Sequence, residues 1–180
     1  MKGSKVAVRY ARSLFALAQN DSELEKIKMD VDLIDQICKD RSFRAMLNSP
    51  VINEKKKISI FNELFDGAVS KPSKLFLNML AENHRESELP EILSSFNDLY
   101  LAHRGKIKVY VTSAVALDEK SRNKIADLVK QHTNNEVLLE ESTDNSLIGG
   151  FKLRFSDIQI DTSLESKLRN VQKELLKKVN

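Results

Sequence analysis

Residues 103–113 read His-Arg-Gly-Lys-Ile-Lys-Val-Tyr-Val-Thr-Ser, and the character of the chain changes within them. Before Gly105 apolar side chains recur at helical spacing. After it Ile107, Val109 and Val111 alternate with Lys108, Tyr110 and Thr112, the period of two with which a strand buries one face. Gly105 offers the left-handed residue that ends a helix without steric cost. These signals predict an α+β chain, mainly α, in which a six-helix bundle over residues 1–105 precedes a small mixed α/β domain over residues 106–180.

On the N-terminal side the helical signals are dense. Ala7, Tyr10, Ala11, Leu14, Leu17 and Ala18 place one apolar stripe on a first helix. Ser22 and Glu25 have the form of a capping box for a second, with Leu24, Ile27, Val31, Ile34 and Cys38 following. A short third helix is predicted over residues 42–48, because Ser49 precedes Pro50 and is pushed out of helical geometry. Asn53 caps a fourth that ends near Gly67, and Pro72 and Pro90 stand in the first turns of a fifth and a sixth. Short connections between such helices favour a bundle.

On the C-terminal side a helix from about Asp118 to Thr133 is predicted, then a strand over residues 137–141. Two short strands follow, residues 153–155 and 158–160, separated by Ser156 and Asp157. A last helix from Ser163 sets Leu164, Leu168, Val171, Leu175 and Val179 on one stripe, which by default covers the sheet.

The composition narrows the function. Among 180 residues, 29 basic and 26 acidic side chains leave a net charge of only +3, shared between the two halves, so neither is a polycation. No apolar run approaches the roughly 18 residues that a membrane span needs. The basic, acid-free first residues have the texture of a transit peptide, yet they also carry the first predicted helix.

Catalytic signals are missing. His84, His103 and His132 lack partners at metal-ligand spacing, and Cys38, among apolar helical neighbours, reads as a buried, inert thiol. Gly149 and Gly150 stand outside any phosphate-loop pattern and read as close backbone packing or a bulge. Lys55, Lys56 and Lys57 read as a solvated helix face. No cofactor, metal or small-molecule substrate is expected.

Two helices are more apolar than a core requires. On the first, apolar side chains cover roughly 200° of the circumference, about twice a core-facing stripe. On the fifth, Leu75 and Met79 edge an arc that runs through Phe76 and Leu80 to Leu77 and Ala81. Either both helices are central and bury all of this, or Val6, Tyr10 and Leu17 lie beside Leu75 and Met79 and form a slot for a partner's amphipathic helix.

Read together in order, these segments resemble the delta subunit of bacterial F-type ATP synthases, the homologue of the mitochondrial oligomycin sensitivity-conferring protein. The resemblance rests on Val8-Arg9-Tyr10-Ala11 and Leu14-Phe15-Ala16, on Ser49-Pro50-Val51-Ile52 with Lys55 to Ile58, and on Leu80-Ala81-Glu82-Asn83-His84-Arg85. Its most specific part is Asp144-Asn145-Ser146-Leu147-Ile148-Gly149-Gly150-Phe151 followed by Ile160-Asp161-Thr162-Ser163-Leu164. His84 and Thr162 stand where that family usually has glycine, and Asn145 where it has proline.

The resemblance implies a non-catalytic stator subunit of the peripheral stalk. Its helical domain would hold N-terminal helices of the α subunits, and its second domain would meet the C-terminal end of the b subunits, so that the head resists rotor torque. It implies a peripheral place on the cytoplasmic face of a bacterial inner membrane, without membrane insertion. The α-binding face would comprise Val6, Tyr10, Ser13, Leu17, Leu75 and Met79. The competing expectation is a nucleic-acid-binding protein, motivated by the basic first helix; its affinity would fall steeply with salt.

Overall fold

The computed structural model describes residues 4–18, 20–133, 135–155, 158–166, 168–169 and 172, with only the backbone of 131 and 132. Ser156, Asp157, Val171, Leu175 and Val179, which figure in the expectations above, lie outside these residues, as does the His132 side chain. The chain divides into two compact units, Met1–Tyr100 and Leu101–Asn180.

The first unit is helical: α1 (Lys5–Ala16), α2 (Asp21–Ile37), α3 (Arg41–Asn48), α4 (Glu54–Leu64), α5 (Lys71–Glu82), a 3-10 turn (Glu86–Glu88) and α6 (Leu89–His103), whose last residues pass into the second unit. Side-chain oxygens of Ser4, Asn20, Asp40 and Asn53 cap the first four, each accepting from a backbone N–H three residues on. For α2 this corrects the capping-box expectation at Ser22. Asn20, in extended geometry, is the cap, and its Oδ1 accepts from Glu23 N at 2.9 Å. Ser49 does leave the helical region, at ψ 120°, as the following proline requires.

Capping of α5 comes from elsewhere. Ser70, its N-cap, makes no side-chain bond to its own helix. Instead the buried Asp30 carboxylate of α2 accepts from Ser70 N at 3.0 Å, from Ser70 Oγ and from Ser73 Oγ at 2.6 Å. A carboxylate there meets both orphan donors and the positive end of the helix dipole.

One hydrophobic core takes residues from α1 through α6, including Leu14, Val31, Leu47, Phe61, Leu80 and Phe96. Phe43, Phe61 and Phe65 pack ring against ring at 6.2–6.3 Å, which joins α3 to α4 and the residue that ends it. Phe15 of α1 meets Phe96 of α6 at 6.0 Å. The start of α1 is tied to the same neighbourhood, with Ser4 N donating to Glu91 Oε2 at 2.8 Å and Ser4 Oγ to Glu88 Oε2 at 2.7 Å.

The second unit holds a four-stranded sheet in the order β2-β1-β3-β4, built from β1 (Lys106–Ser113), β2 (Glu136–Thr143), β3 (Phe151–Phe155) and β4 (Ile158–Asp161). β1 and β2 run parallel from Lys106↔Glu136 to Ser113↔Thr143, and α7 (Glu119–Thr133) is the crossover that parallel neighbours need. β3 is antiparallel to both β1 and β4. Val109, Val111, Leu153 and Phe155 bury one face against Ile125 and Val129 of α7.

Helical conformation resumes at residue 164, but the apolar stripe expected to cover the sheet does not do so where it is described: Leu164 is 45% and Leu168 66% exposed. Among the described residues, α7 supplies the helical side of this core through Ile125 and Val129. The paired glycines serve close packing rather than a bulge. At Gly150 (φ 82°) a Cβ would lie 2.5 Å from the Thr162 carbonyl oxygen, and Gly149 O accepts from Leu164 N at 3.0 Å.

Candidate functional site

Each side chain expected on the partner-binding face is positioned by the turn that buries its neighbours. α1 sinks Ala7, Ala11 and Leu14 completely, which leaves Val6 and Tyr10 half-buried at the edge and Ser13 and Leu17 facing outward. α5 sinks Phe76, Leu77, Leu80 and Ala81, so Met79 is half-buried and Leu75, on the outer turn, is exposed. The larger arcs are thus partly explained by burial: the Leu77 and Ala81 side of α5 belongs to the core.

The Tyr10 ring meets the Phe76 ring edge-on, with centroids 6.4 Å apart, so α1 and α5 are neighbours. Tyr10 and Met79 both pack against the helical core from its margin. Beyond them Leu17 stands 49% and Leu75 60% exposed. Ser13 is exposed, and its Oγ donates to Arg9 O at 3.1 Å within the helix, which leaves its lone pairs as acceptors on the outer face. Arg9 lies against the edge of this face, its guanidinium carbon 5.8 Å from the Tyr10 ring centroid. The combination is an apolar margin with one aromatic floor residue and a cation beside it.

The residues considered for catalysis sit in structural positions. Cys38 is buried, and burial first, then the nearby Asp35, pushes its thiol up to about 12 against the opposing pull of Arg44. His84 turns a corner at φ 54°, consistent with glycine as the usual residue of the resembled family, and its Nε2 lies 3.6 Å from Glu54 Oε2. His103 ends α6. Among the described residues no three His, Cys, Asp or Glu side chains gather as a metal site, and no helix is long and apolar enough to cross a membrane.

The lysine run requires a correction. Lys55 and Lys56 are solvated, but Lys57 is 4% exposed. Its ammonium donates to Leu47 O at 3.1 Å and to Glu86 Oε1 at 2.5 Å. The partner is 29 residues away in sequence, so no local pattern announces it.

In the second unit, the turn with Asn145 in place of proline is held by Asp144, whose Oδ1 accepts from Ser146 N and Oγ at 2.9 and 2.6 Å. Thr162, in place of glycine, adds a bond from its Oγ1 to Phe151 O at 2.8 Å. The Thr162 hydroxyl thus adds a tie between the start of β3 and the residue that follows β4.

Comparison with known proteins agrees with these features. The family model for the ATP synthase delta (OSCP) subunit matches residues 6–175. The ATP synthase subunit delta of Chloroherpeton thalassium is 31% identical over 173 residues, covering 96% of this chain and 94% of that protein. The mitochondrial ATP synthase peripheral stalk subunit OSCP of Rhinolophus ferrumequinum is 27% identical over 168 residues, covering 92% of this chain and 79% of that one. In fold, the chain is similar to one in the cryo-EM structure of the Toxoplasma gondii mitochondrial ATP synthase hexamer, with a TM-score of 0.76 at 22% identity over 96% of this chain and 98% of that one. The chain belongs to the ATP synthase delta (OSCP) subunit family, the non-catalytic peripheral-stalk component of that synthase.

Proposed function

We propose that the chain couples the catalytic head to the static stalk by two attachments. The helices before β1 form one bundle that takes an N-terminal helix of an α subunit in the slot between α1 and α5, and residues 106–180 meet the C-terminal end of the b subunits. The observation that carries the first attachment is the Tyr10–Phe76 contact, which sets the exposed Leu17 and Leu75 on two neighbouring helices with Val6 and Met79 between core and solvent. An exposed apolar margin on two packed helices is costly in water unless something covers it. The second attachment is supported by Val115 and Ile148, 74% and 77% exposed in the second unit. In a bacterial cell the assembly places the chain on the cytoplasmic face of the inner membrane, held there by its partners.

Titration of the full chain with a synthetic α-subunit N-terminal peptide tests the slot. Leu17→Asp and Leu75→Asp, both at exposed positions, should each weaken binding about tenfold or more while leaving the unfolding midpoint near wild type. Affinity unchanged by both substitutions overturns the slot. The b attachment is tested by co-purification of the full chain with a soluble b fragment; retention unchanged in Ile148→Asp with Val115→Asp removes that surface from consideration. Weak salt dependence of the peptide titration separates this reading from a nucleic-acid-type electrostatic one.

A further inference from the structure

Strand alternation divides the side chains of the sheet between two faces. Val109, Val111, Leu153 and Phe155 go to the core under α7, so Lys108, Tyr110, Lys152 and Arg154 stand on the opposite face. There Arg154 is exposed and the other three are half-buried.

The two sides of this face differ in how their charges are used. Toward β2 the lysines are spent: Lys106 Nζ lies 3.2 Å from Glu136 Oε2, and Lys108 Nζ 2.6 Å from Glu140 Oε1. Toward β3, among the described residues, neither Lys152 nor Arg154 has an ion-pair or hydrogen-bond partner for its side chain. Lys152 adds only a small pull on Asp144 and Asp161, carboxylates already engaged by Ser146 and by Ser163 and Ser166. Arg154 is restrained without being paired. Its guanidinium carbon lies 4.9 Å from the ring centroid of Tyr110, the residue opposite it in the β1–β3 register. Such a cation–π contact uses the ring face and none of the five guanidinium N–H donors.

We propose that this face docks a short, extended acidic segment of a partner protein, with two of its carboxylates taken by Arg154 and Lys152. The Arg154 fork, held in place by Tyr110, takes one as a bidentate pair, and the Lys152 ammonium takes the other. Lys152 and Arg154 are two residues apart on one strand, about 7 Å, and alternate side chains of an extended segment repeat at the same distance. Charge also sets the size of the occupant. A nucleic-acid strand crossing the face would meet Glu136 and Glu140 on β2, whereas two carboxylates match the two unpaired cations. Val115 and Ile148 lie outside the strands, so this face is separate from the surface offered for the b attachment and does not depend on it.

The test uses the isotope-labelled full chain in solution NMR, titrated into the millimolar range with the peptide acetyl-Ala-Glu-Ala-Glu-Ala-amide, with its glutamine counterpart, and with a short single-stranded oligothymidylate. Saturable shifts at Tyr110, Lys152 and Arg154 are expected, with the glutamate peptide binding at least about fivefold more tightly than the glutamine one, as charge-assisted bonds require. Arg154→Gln, at an exposed position, should weaken the glutamate peptide about fivefold and leave the fold intact, and Arg154→Lys, which keeps the charge and loses the fork, about threefold. The proposal is overturned by the absence of saturable shifts at these residues, by equal binding of the two peptides, by an unchanged constant in Arg154→Gln, or by tighter binding of the oligothymidylate than of the glutamate peptide.

Discussion

The Tyr10 ring of α1 stands edge-on to the Phe76 ring of α5 at 6.4 Å, and this pair is where the two helices of the proposed slot touch. Aromatic pairs of this geometry are worth about 0.5–1.5 kcal/mol beyond the area they bury. A double-mutant cycle of Tyr10→Leu and Phe76→Leu, read by urea unfolding, should return a coupling in that range. A coupling near zero would mean that the rings are adjacent without holding the helices together.

Breaking the buried Lys57–Glu86 pair from one side should be much worse than removing it. Glu86→Ala leaves an ammonium with 4% exposure beside an apolar core and should cost about 3–5 kcal/mol. The double variant Lys57→Met with Glu86→Leu should recover most of that loss. Guanidinium unfolding of the three proteins checks the order, and a double variant no better than Glu86→Ala contradicts it.

Gly150 and Gly67 both have positive φ, 82° and 67°, but only the first is crowded. Gly67→Ala meets nothing within 4 Å and should cost about 1 kcal/mol from backbone strain alone. Gly150→Ala drives a methyl to 2.5 Å from Thr162 O and 2.9 Å from Ser163 Cα, both backbone, and should cost about 3 kcal/mol or more. Thermal unfolding of the two variants separates the effects.

Acid should loosen the β4 end of the sheet in a defined window. Bonds from Ser163 and Ser166 lower the Asp161 carboxyl from its ordinary 3.8 to about 2. A carboxyl whose folded pKa is depressed contributes fully above its unfolded value, and the contribution disappears as pH falls through the folded one. The contribution is therefore intact above about pH 4 and lost by about pH 2. In Asp161→Asn, stability should vary less between these limits, as hydrogen exchange at Ser163 and Ser166 would report.

Cys38 should resist alkylation in the native protein. With its thiol at about 12 and 1% exposed, almost no thiolate is available near neutral pH. Iodoacetamide labelling should proceed only through unfolding, at a rate that rises with urea; rapid labelling of the folded chain would contradict the burial.

The elements of this fold are legible wherever the signal is local. The alternation at Ile107, Val109 and Val111 marks β1, Asn53 marks the start of α4, and Gly105, at φ 66°, marks the end of α6. The apolar margin was legible too, since excess arc on an amphipathic helix is a property of spacing. Its extent was not: spacing cannot say that Leu77 and Ala81 face inward while Leu75 faces water. Long-range polar pairing left no trace in the pattern. Lys57 reads as one of three equivalent lysines until Glu86 is brought to it, and no local spacing singles out Asp30, whose partners Ser70 and Ser73 lie 40 and 43 residues away.

Asp30 also bears on how this surface can diversify. Because the first turn of α5 is anchored by a carboxylate from α2, the residues that set where α5 begins are separate from Leu75 and Met79, which edge the proposed slot. In the proposed slot, recognition and scaffold are then separable: a library confined to the exposed Leu17 and Leu75 should vary peptide affinity while leaving the unfolding midpoint near wild type.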